Sequence, residues 1–246
     1  MGPPGAVRGG FHVLILGIET ATEQVSVAIG GHEGVLGLFE VCRGRRHAET
    51  LIPAIQFVCK QADVELSEIS VIAVDVGPGL FTGMRVGLAT GKALAQALRV
   101  PMIGMSSLDL LAFPLRHSVR TVAAVIDARK GELFYAFYRP VPGGLQRVLE
   151  PRCGRVDDLI GDVMARGDDV VCVGEGALRY REQIEADVRC DFAEQFLSRP
   201  SAAPLVTLAH ARALREEWVN TWEIQPLYLR LPDAQINWRT RDPGTA

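Results

Sequence analysis

No two cysteines of this 246-residue sequence are close enough to form a CxxC unit, and the five present, Cys42, Cys59, Cys153, Cys172 and Cys190, are odd in number. Both facts argue against a disulfide framework and for reduced thiols in the cytoplasm. Charge of one sign is also lacking. A net charge of −3 excludes the strongly basic footprint of a dedicated nucleic-acid binder and leaves only a local patch open. No apolar run approaches the ~20 residues of a membrane span. "FHVLILGI" after the Gly/Pro leader has no signal-peptide cleavage site and reads as a buried strand, so a cytoplasmic protein with no membrane partner is expected.

Chemistry-bearing motifs are equally sparse. The histidines His12, His32, His47, His117 and His210 show no i, i+4 pair, no HExxH and no His/Cys/Cys zinc pattern. No G-x-S-x-G elbow is present, which leaves a serine hydrolase without support. From the residues alone no catalytic set and no metal site can be assembled.

What is present is a folded α/β chain, 48% hydrophobic and far too apolar for disorder. Apolar runs at 11–20, 25–30 and 34–42 predict a three-strand meander. A helix at 47–63 follows, with Leu51, Ile55, Val58 and Ala62 at helical spacing and Pro53 tolerable if Thr50 or a neighbour caps it. A buried strand at 71–77 leads to a helix over 81–99, a short strand at 101–106 and a helix at 107–113. The pattern then begins afresh. A hairpin is expected at 121–140, turning at Arg129–Gly131, with a helix at 156–167 closed by glycine. A strand at 170–177, helices at 178–187 and 201–218 and an extended tail at 224–235 complete it. This order predicts two α/β lobes with mixed sheets flanked by helices. We place them at 11–107 and 108–235, with helix 201–218 able to pack back on the first lobe and flexible ends at 1–10 and 236–246.

The stretch "DVGPGLFTGMRVGLATGKALAQALR" (75–99) is the richest in glycine. It is not a Walker loop: three residues, not four, separate Gly87 from Gly91, and Ala93 follows Lys92 where Ser or Thr should hold magnesium. It is not a dinucleotide fingerprint either, because "GPGLFTG" has the wrong spacing. Gly83, Gly87 and Gly91 drift only about 40° per step and form one bare stripe on the helix. Each weakens the helix by roughly 1 kcal/mol relative to alanine, so a close approach of other backbone is expected there. The neighbour could be the chain's own sheet, another helix or a second subunit. Arg85, Lys92 and Arg99 form a basic stripe, either a solvated face or a contact for a carboxylate or an RNA phosphate. The turn Gly77-Pro78-Gly79 could hold an anion on its N–H groups or be a plain tight turn. Glu19, Asp75 and Asp127 end apolar strands, where acids either hold a metal–phosphate group or cap loops.

Six segments in order, "GIETATEQVSVAIG", "HAETLIPAI", "DVGPGLFTGMRVGLATGKALAQAL", "PMIGMSSLDLLA", "AVIDARKGELFYAFY" and "QPLYLRLPDA", resemble the TsaB (YeaZ) family of tRNA threonylcarbamoyladenosine biosynthesis proteins. The resemblance implies an ASKHA fold, the two-lobed actin/Hsp70-like architecture. It implies a part in placing threonylcarbamoyl on the adenosine beside the anticodon of tRNAs that read codons starting with A. It further implies a scaffold and not a catalyst. The expected partners are a TsaD-like transferase and a TsaE-like ATPase, with a homodimer when the chain is alone and tRNA met only through the complex. ATP or ADP and magnesium are expected on partner subunits or at their interface, and no cofactor on this chain.

In the related catalytic subunit two metal-binding histidines follow the strand matching "PMIGM"; laid along this sequence they fall on Ser107 and Leu111. Neither suits iron or zinc. The family pairs subunits through the helices matching 47–63 and 81–99, so Leu51, Ile55, Val58, Gly83, Gly87, Gly91, Arg85 and Lys92 are expected to meet a partner. Glu19, Thr20, Gly77 and Gly79 are the places where a nucleotide would sit if this chain bound one. The family's first strand usually ends in aspartate, and Glu19 departs from that. The rival expectations are a stand-alone ASKHA ATPase or sugar kinase, with "GEGA" (174–177) as the nearest second phosphate loop, and a metallopeptidase.

Overall fold

The computed structural model describes residues 13–44 and 46–230, so the ends expected at 1–10 and 236–246 and the last part of the tail lie outside the described residues. The first sheet contains β1 (Ile15–Glu19), β2 (Gln24–Gly31), β3 (Gly34–Cys42), β4 (Val71–Gly77) and β5 (Met102–Ser106), in the order β3-β2-β1-β4-β5. The meander pairs antiparallel, while β1–β4 and β4–β5 are parallel. Parallel pairs need crossovers, and α1 (His47–Gln61) and α2 (Phe81–Leu98) provide them.

The second sheet repeats the plan. Its strands β6 (Thr121–Arg129), β7 (Glu132–Val141), β8 (Gly144–Arg155), β9 (Val170–Val173) and β10 (Asp191–Phe192) lie in the order β10-β9-β6-β7-β8. Read from the other edge, this is the first sheet again, with β6 in the place of β1 and β9 in the place of β4. Antiparallel β6–β7–β8 and parallel β6–β9–β10 keep the same senses. A duplicated meander-plus-crossover unit of this kind is the two-lobed ASKHA fold.

Both sheets are covered on both faces, which is why their central strands are apolar throughout and do not alternate. In the first lobe, Leu16, Ile18 and Val74 face Leu51, Ile55 and Val58 of α1. On the other side, Ile15, Ala28 and Ala73 face Leu205, Val206 and Ala209 of α7 (Ala202–Ala213), which returns from the far end of the chain. In the second lobe, Ala124 and Ile126 pack on Leu108 and Leu111 of α3 (Ser107–Ala112). Val125, Tyr135 and Phe137 pack on α4 (Val156–Arg166) and on Ile184 of α6 (Arg181–Asp187).

Four local expectations need correction. Helix α1 begins at His47 without a side-chain cap, so Thr50 does not cap it and Pro53 lies well inside. Pro53 is exposed, as is Glu49, whose carbonyl the missing N–H would have bonded. The strand expected to reach residue 177 stops at Val173, because Gly174 turns the chain at φ +115° into α5 (Glu175–Arg179). The helix expected over 178–187 is broken at Tyr180 into α5 and α6. Helix α7 ends at Ala213, five residues short of Trp218, where the apolar face runs out. The edge strand β8 was not foreseen; its Pro151 and charged residues hide it in the sequence.

Candidate functional site

Three strand-end acids, Glu19, Asp75 and Asp127, are buried, and all three turn back on their own loops. Glu19 Oε1 accepts from Ala21 N at 2.7 Å, Asp75 Oδ1 from Gly77 N at 2.7 Å, and Asp127 Oδ1 from Arg129 N at 2.9 Å. Asp75 Oδ1 also accepts from the Ser107 hydroxyl at 2.7 Å. Asp127 is further paired with Arg179 at 2.6 Å and Arg129 at 3.3 Å, and Arg129 reaches across to Glu23 of the first lobe at 2.6 Å. Asp127 is therefore neutralised by two guanidinium groups.

Among the described residues no cation is paired with Glu19 or Asp75. Burial pushes Asp75 up to about 7, its bonds from Gly77 and Ser107 only partly opposing this. Glu19 is raised well above the carboxylate range, first by burial and then by the charge of Asp75. Glu19 Oε2 and Asp75 Oδ2 are buried with no hydrogen-bond partner. Two buried carboxyls without cations are stable when protons neutralise them.

The glycine turn at 77–79 is packed tightly against the rest of the chain. Gly77 takes φ +100°, which only glycine adopts freely, and its N–H is engaged by Asp75. Leu80 N donates to Ala21 O at 2.6 Å, and a side chain at Gly79 would collide with that same carbonyl. Thr20 Oγ1 donates to Gly83 O at 2.8 Å. The segment after residue 223 then lies over the turn: Leu227 N donates to Val76 O at 2.7 Å, and the Tyr228 ring packs 5.4 Å from that of Phe81. Of the groups expected to hold a nucleotide, Glu19, Thr20 and Gly77 are thus engaged by the chain itself, and Gly79 packs closely on the Ala21 carbonyl. "GEGA" packs as closely on β6: a Cβ at Gly174 would strike Val125 O, and one at Gly176 would meet Ile126 C at 2.8 Å.

The glycine stripe faces inward. A Cβ at Gly83 would overlap Thr20 O, one at Gly87 would overlap Thr20 Oγ1, and one at Gly91 would meet Val74 Cγ1 at 2.5 Å. Close packing of α2 on β1 and β4 is their physical reason. Leu51, Ile55 and Val58 are likewise buried in the first-lobe core. In place of a partner's surface, these six side positions meet the chain's own sheet.

The outward face of α2 carries a different smooth ridge. Ala89, Ala93 and Ala97 are exposed, four residues apart, with Arg85 exposed and Lys92 half-buried nearby on the helix. The Arg85 guanidinium is stacked over Phe81 at 3.7 Å and bonded to Tyr228 Oη at 3.0 Å. On α1, Ile52 is 45% and Phe57 51% exposed, large values for apolar side chains in an ordered helix. The glycines had drawn attention to one side of α2; the alanine spacing was equally visible in the sequence and marks the other.

Ser107 and Leu111 have internal roles. Ser107 holds Asp75, and Leu111 is buried in the second-lobe core. Among the described residues no cluster of three or more His, Cys, Asp or Glu could hold a metal ion, and no helix is long and apolar enough to cross a membrane.

The family profile described as "TsaD: tRNA N6-adenosine threonylcarbamoyltransferase" matches residues 40–238. The Escherichia coli tRNA threonylcarbamoyladenosine biosynthesis protein TsaB is 30% identical over 220 residues, spanning 88% of this chain and 94% of that protein. The Bacillus subtilis protein of the same name is 26% identical over 229 residues, spanning 91% and 97%. A crystal structure from Pseudomonas aeruginosa, described as an uncharacterized protein with similarity to peptidase YeaZ, superposes with a TM-score of 0.77 at 30% identity, covering 88% of this chain and 99% of that one. Full-length relatives, a matching profile and the duplicated fold agree: the chain belongs to the TsaB (YeaZ) family of tRNA threonylcarbamoyladenosine biosynthesis proteins.

Proposed function

We propose that this chain is the non-catalytic scaffold subunit in threonylcarbamoylation of the adenosine next to the anticodon, in tRNAs that read codons starting with A. It binds a TsaD-like transferase and, together with it, a TsaE-like ATPase; alone it pairs with a second copy. Nucleotide and magnesium belong to the partners or to the shared interface. The observation that carries this reading is the exposure on both helices: a ridge of alanines on α2, and the apolar side chains Ile52 and Phe57 on α1. Small residues let a facing helix come close, and exposed large apolar groups supply the area that such a contact removes from water.

The strand ends support the same reading from the other direction. Asp127 is held by two arginines, and the first glycine turn is covered by residues 227 and 228. The test is reconstitution of tRNA modification from purified subunits, each omitted in turn. Threonylcarbamoyladenosine is expected only when this chain and the transferase are both present, and none from this chain alone. Modification by the unaccompanied chain would overturn the proposal.

A further inference from the structure

A cavity of about 720 Å³ lies away from the strand ends, where α7, the β7–β8 hairpin and the segment after α3 meet. Its volume is within the range of small-molecule sites. Four arginines line it: Arg116, Arg147, Arg212 and Arg215. Two of them are matched by carboxylates. Arg147 pairs with Asp109 at 2.6 Å and with the exposed Glu150 at 2.9 Å, and Arg215 pairs with Glu217 at 2.5 Å.

Arg116 and Arg212 differ. The Arg116 Nη1 donates to the Phe113 carbonyl at 3.2 Å, and the Arg212 Nη1 to the Gly104 carbonyl at 3.3 Å. Glu217, already bonded to Arg215, also feels the charge of Arg212. Each guanidinium has five N–H donors, so both hold donors beyond these single bonds. They are half-buried and stand on different elements, and His117 lines the same cavity.

Two incompletely matched guanidinium groups suit an anion with about two negative charges and several acceptor oxygens, which is what a phosphate monoester presents at neutral pH. A planar carboxylate is satisfied by one bidentate arginine. The rest of the wall is mixed: Phe113, Met105 and Leu208 give it an apolar side, while Asp109, which is paired with Arg147, Tyr138 and Thr207 also line it. Arg116 already stacks on Phe113, 4.3 Å above its ring. A bare ion would leave this wall unused.

We propose that the cavity binds a small organic phosphate monoester of about nucleotide size, its phosphate held by Arg116 and Arg212 and its organic part lying against Phe113 and Leu208. The inference does not depend on the scaffold role proposed above.

The test is calorimetric titration of the full chain with AMP, ribose 5-phosphate, inorganic phosphate and, as the phosphate-free control, adenosine. Saturable binding of at least one monoester is expected, tighter than inorganic phosphate, with adenosine not bound. Arg116→Gln and Arg212→Gln should each weaken it about tenfold or more, as loss of a charge-assisted hydrogen bond does. The melting temperatures of the unliganded variants report folding, so one misfolded variant leaves the other to decide. Absence of saturable monoester binding at millimolar concentration overturns the proposal. So does adenosine binding as well as AMP, binding indifferent to both substitutions, or an arginine-dependent site that accepts only tRNA.

Discussion

Asp75 holds its proton up to about pH 7 because burial removes the water that would stabilise its charge. Its folded state binds that proton more tightly than the unfolded chain does. The resulting stabilisation is complete below the ordinary carboxylate range and is lost as pH rises from there to about 7. Glu19, raised in the same direction, adds to the same trend. Asp75→Asn keeps an acceptor for Gly77 N and the Ser107 hydroxyl and places an N–H₂ where an unpartnered oxygen was. Urea unfolding should then show the wild type losing stability between pH 5 and pH 8, with the variant flatter and more stable at pH 8 by on the order of a few kcal/mol. A wild type that gains stability over that interval would contradict the assignment. At this scale the sequence was only half legible. It showed acids at strand ends and offered loop capping as one of two readings, which the bonds to Ala21, Gly77 and Arg129 bear out. It did not show that Cys172 and Cys190, 18 residues apart, bring their sulfurs to 3.8 Å.

The long elements were the most legible. β3 and β4 lie where their apolar runs predict, and α2 starts at Phe81 as expected. Periodicity identifies an element because one face must be buried; it does not say what covers that face. The glycines of α2 illustrate the gap, since a bare stripe fits a sheet, a helix or a subunit equally well until Thr20 is seen against it. Gly83→Ala should lower stability by about 1–3 kcal/mol, since the Thr20 backbone must move to admit the methyl. Gly161→Ala in α4 meets nothing within 4 Å and should raise stability by about 0.5–1 kcal/mol through helix propensity. Thermal or denaturant melts of the two variants check both signs. Equal behaviour would mean that the α2 stripe is not tightly packed. β8 and β10 escaped the sequence reading for opposite reasons: one is an edge strand with proline and charge, the other is two residues long.

Across the whole molecule, the two lobes are tied by connections that no local pattern announces. Ile224 packs in the first-lobe core, Leu229 against the second, and Arg230 Nη1 reaches Ala128 O at 3.1 Å and Glu132 at 2.7 Å. The Glu23–Arg129 pair adds a second link from lobe to lobe. The chain's own residues 224–230 thus bridge the two lobes. The partner surface proposed above is the exposed side of α1 and α2. The duplicated topology was foreshadowed by the repeated strand–helix order, whereas this redirection of the surface required the packing.

The most direct measurement is of Ala93→Glu, which places a charge in the middle of the outward ridge without touching the core. Glutamate is a good helix former, so the melting temperature should stay near that of the wild type. Co-elution with the TsaD-like transferase on gel filtration should be lost, and tRNA modification by the reconstituted subunits should fall with it. An Ala93→Glu chain that still co-elutes and supports modification as the wild type does would contradict the account.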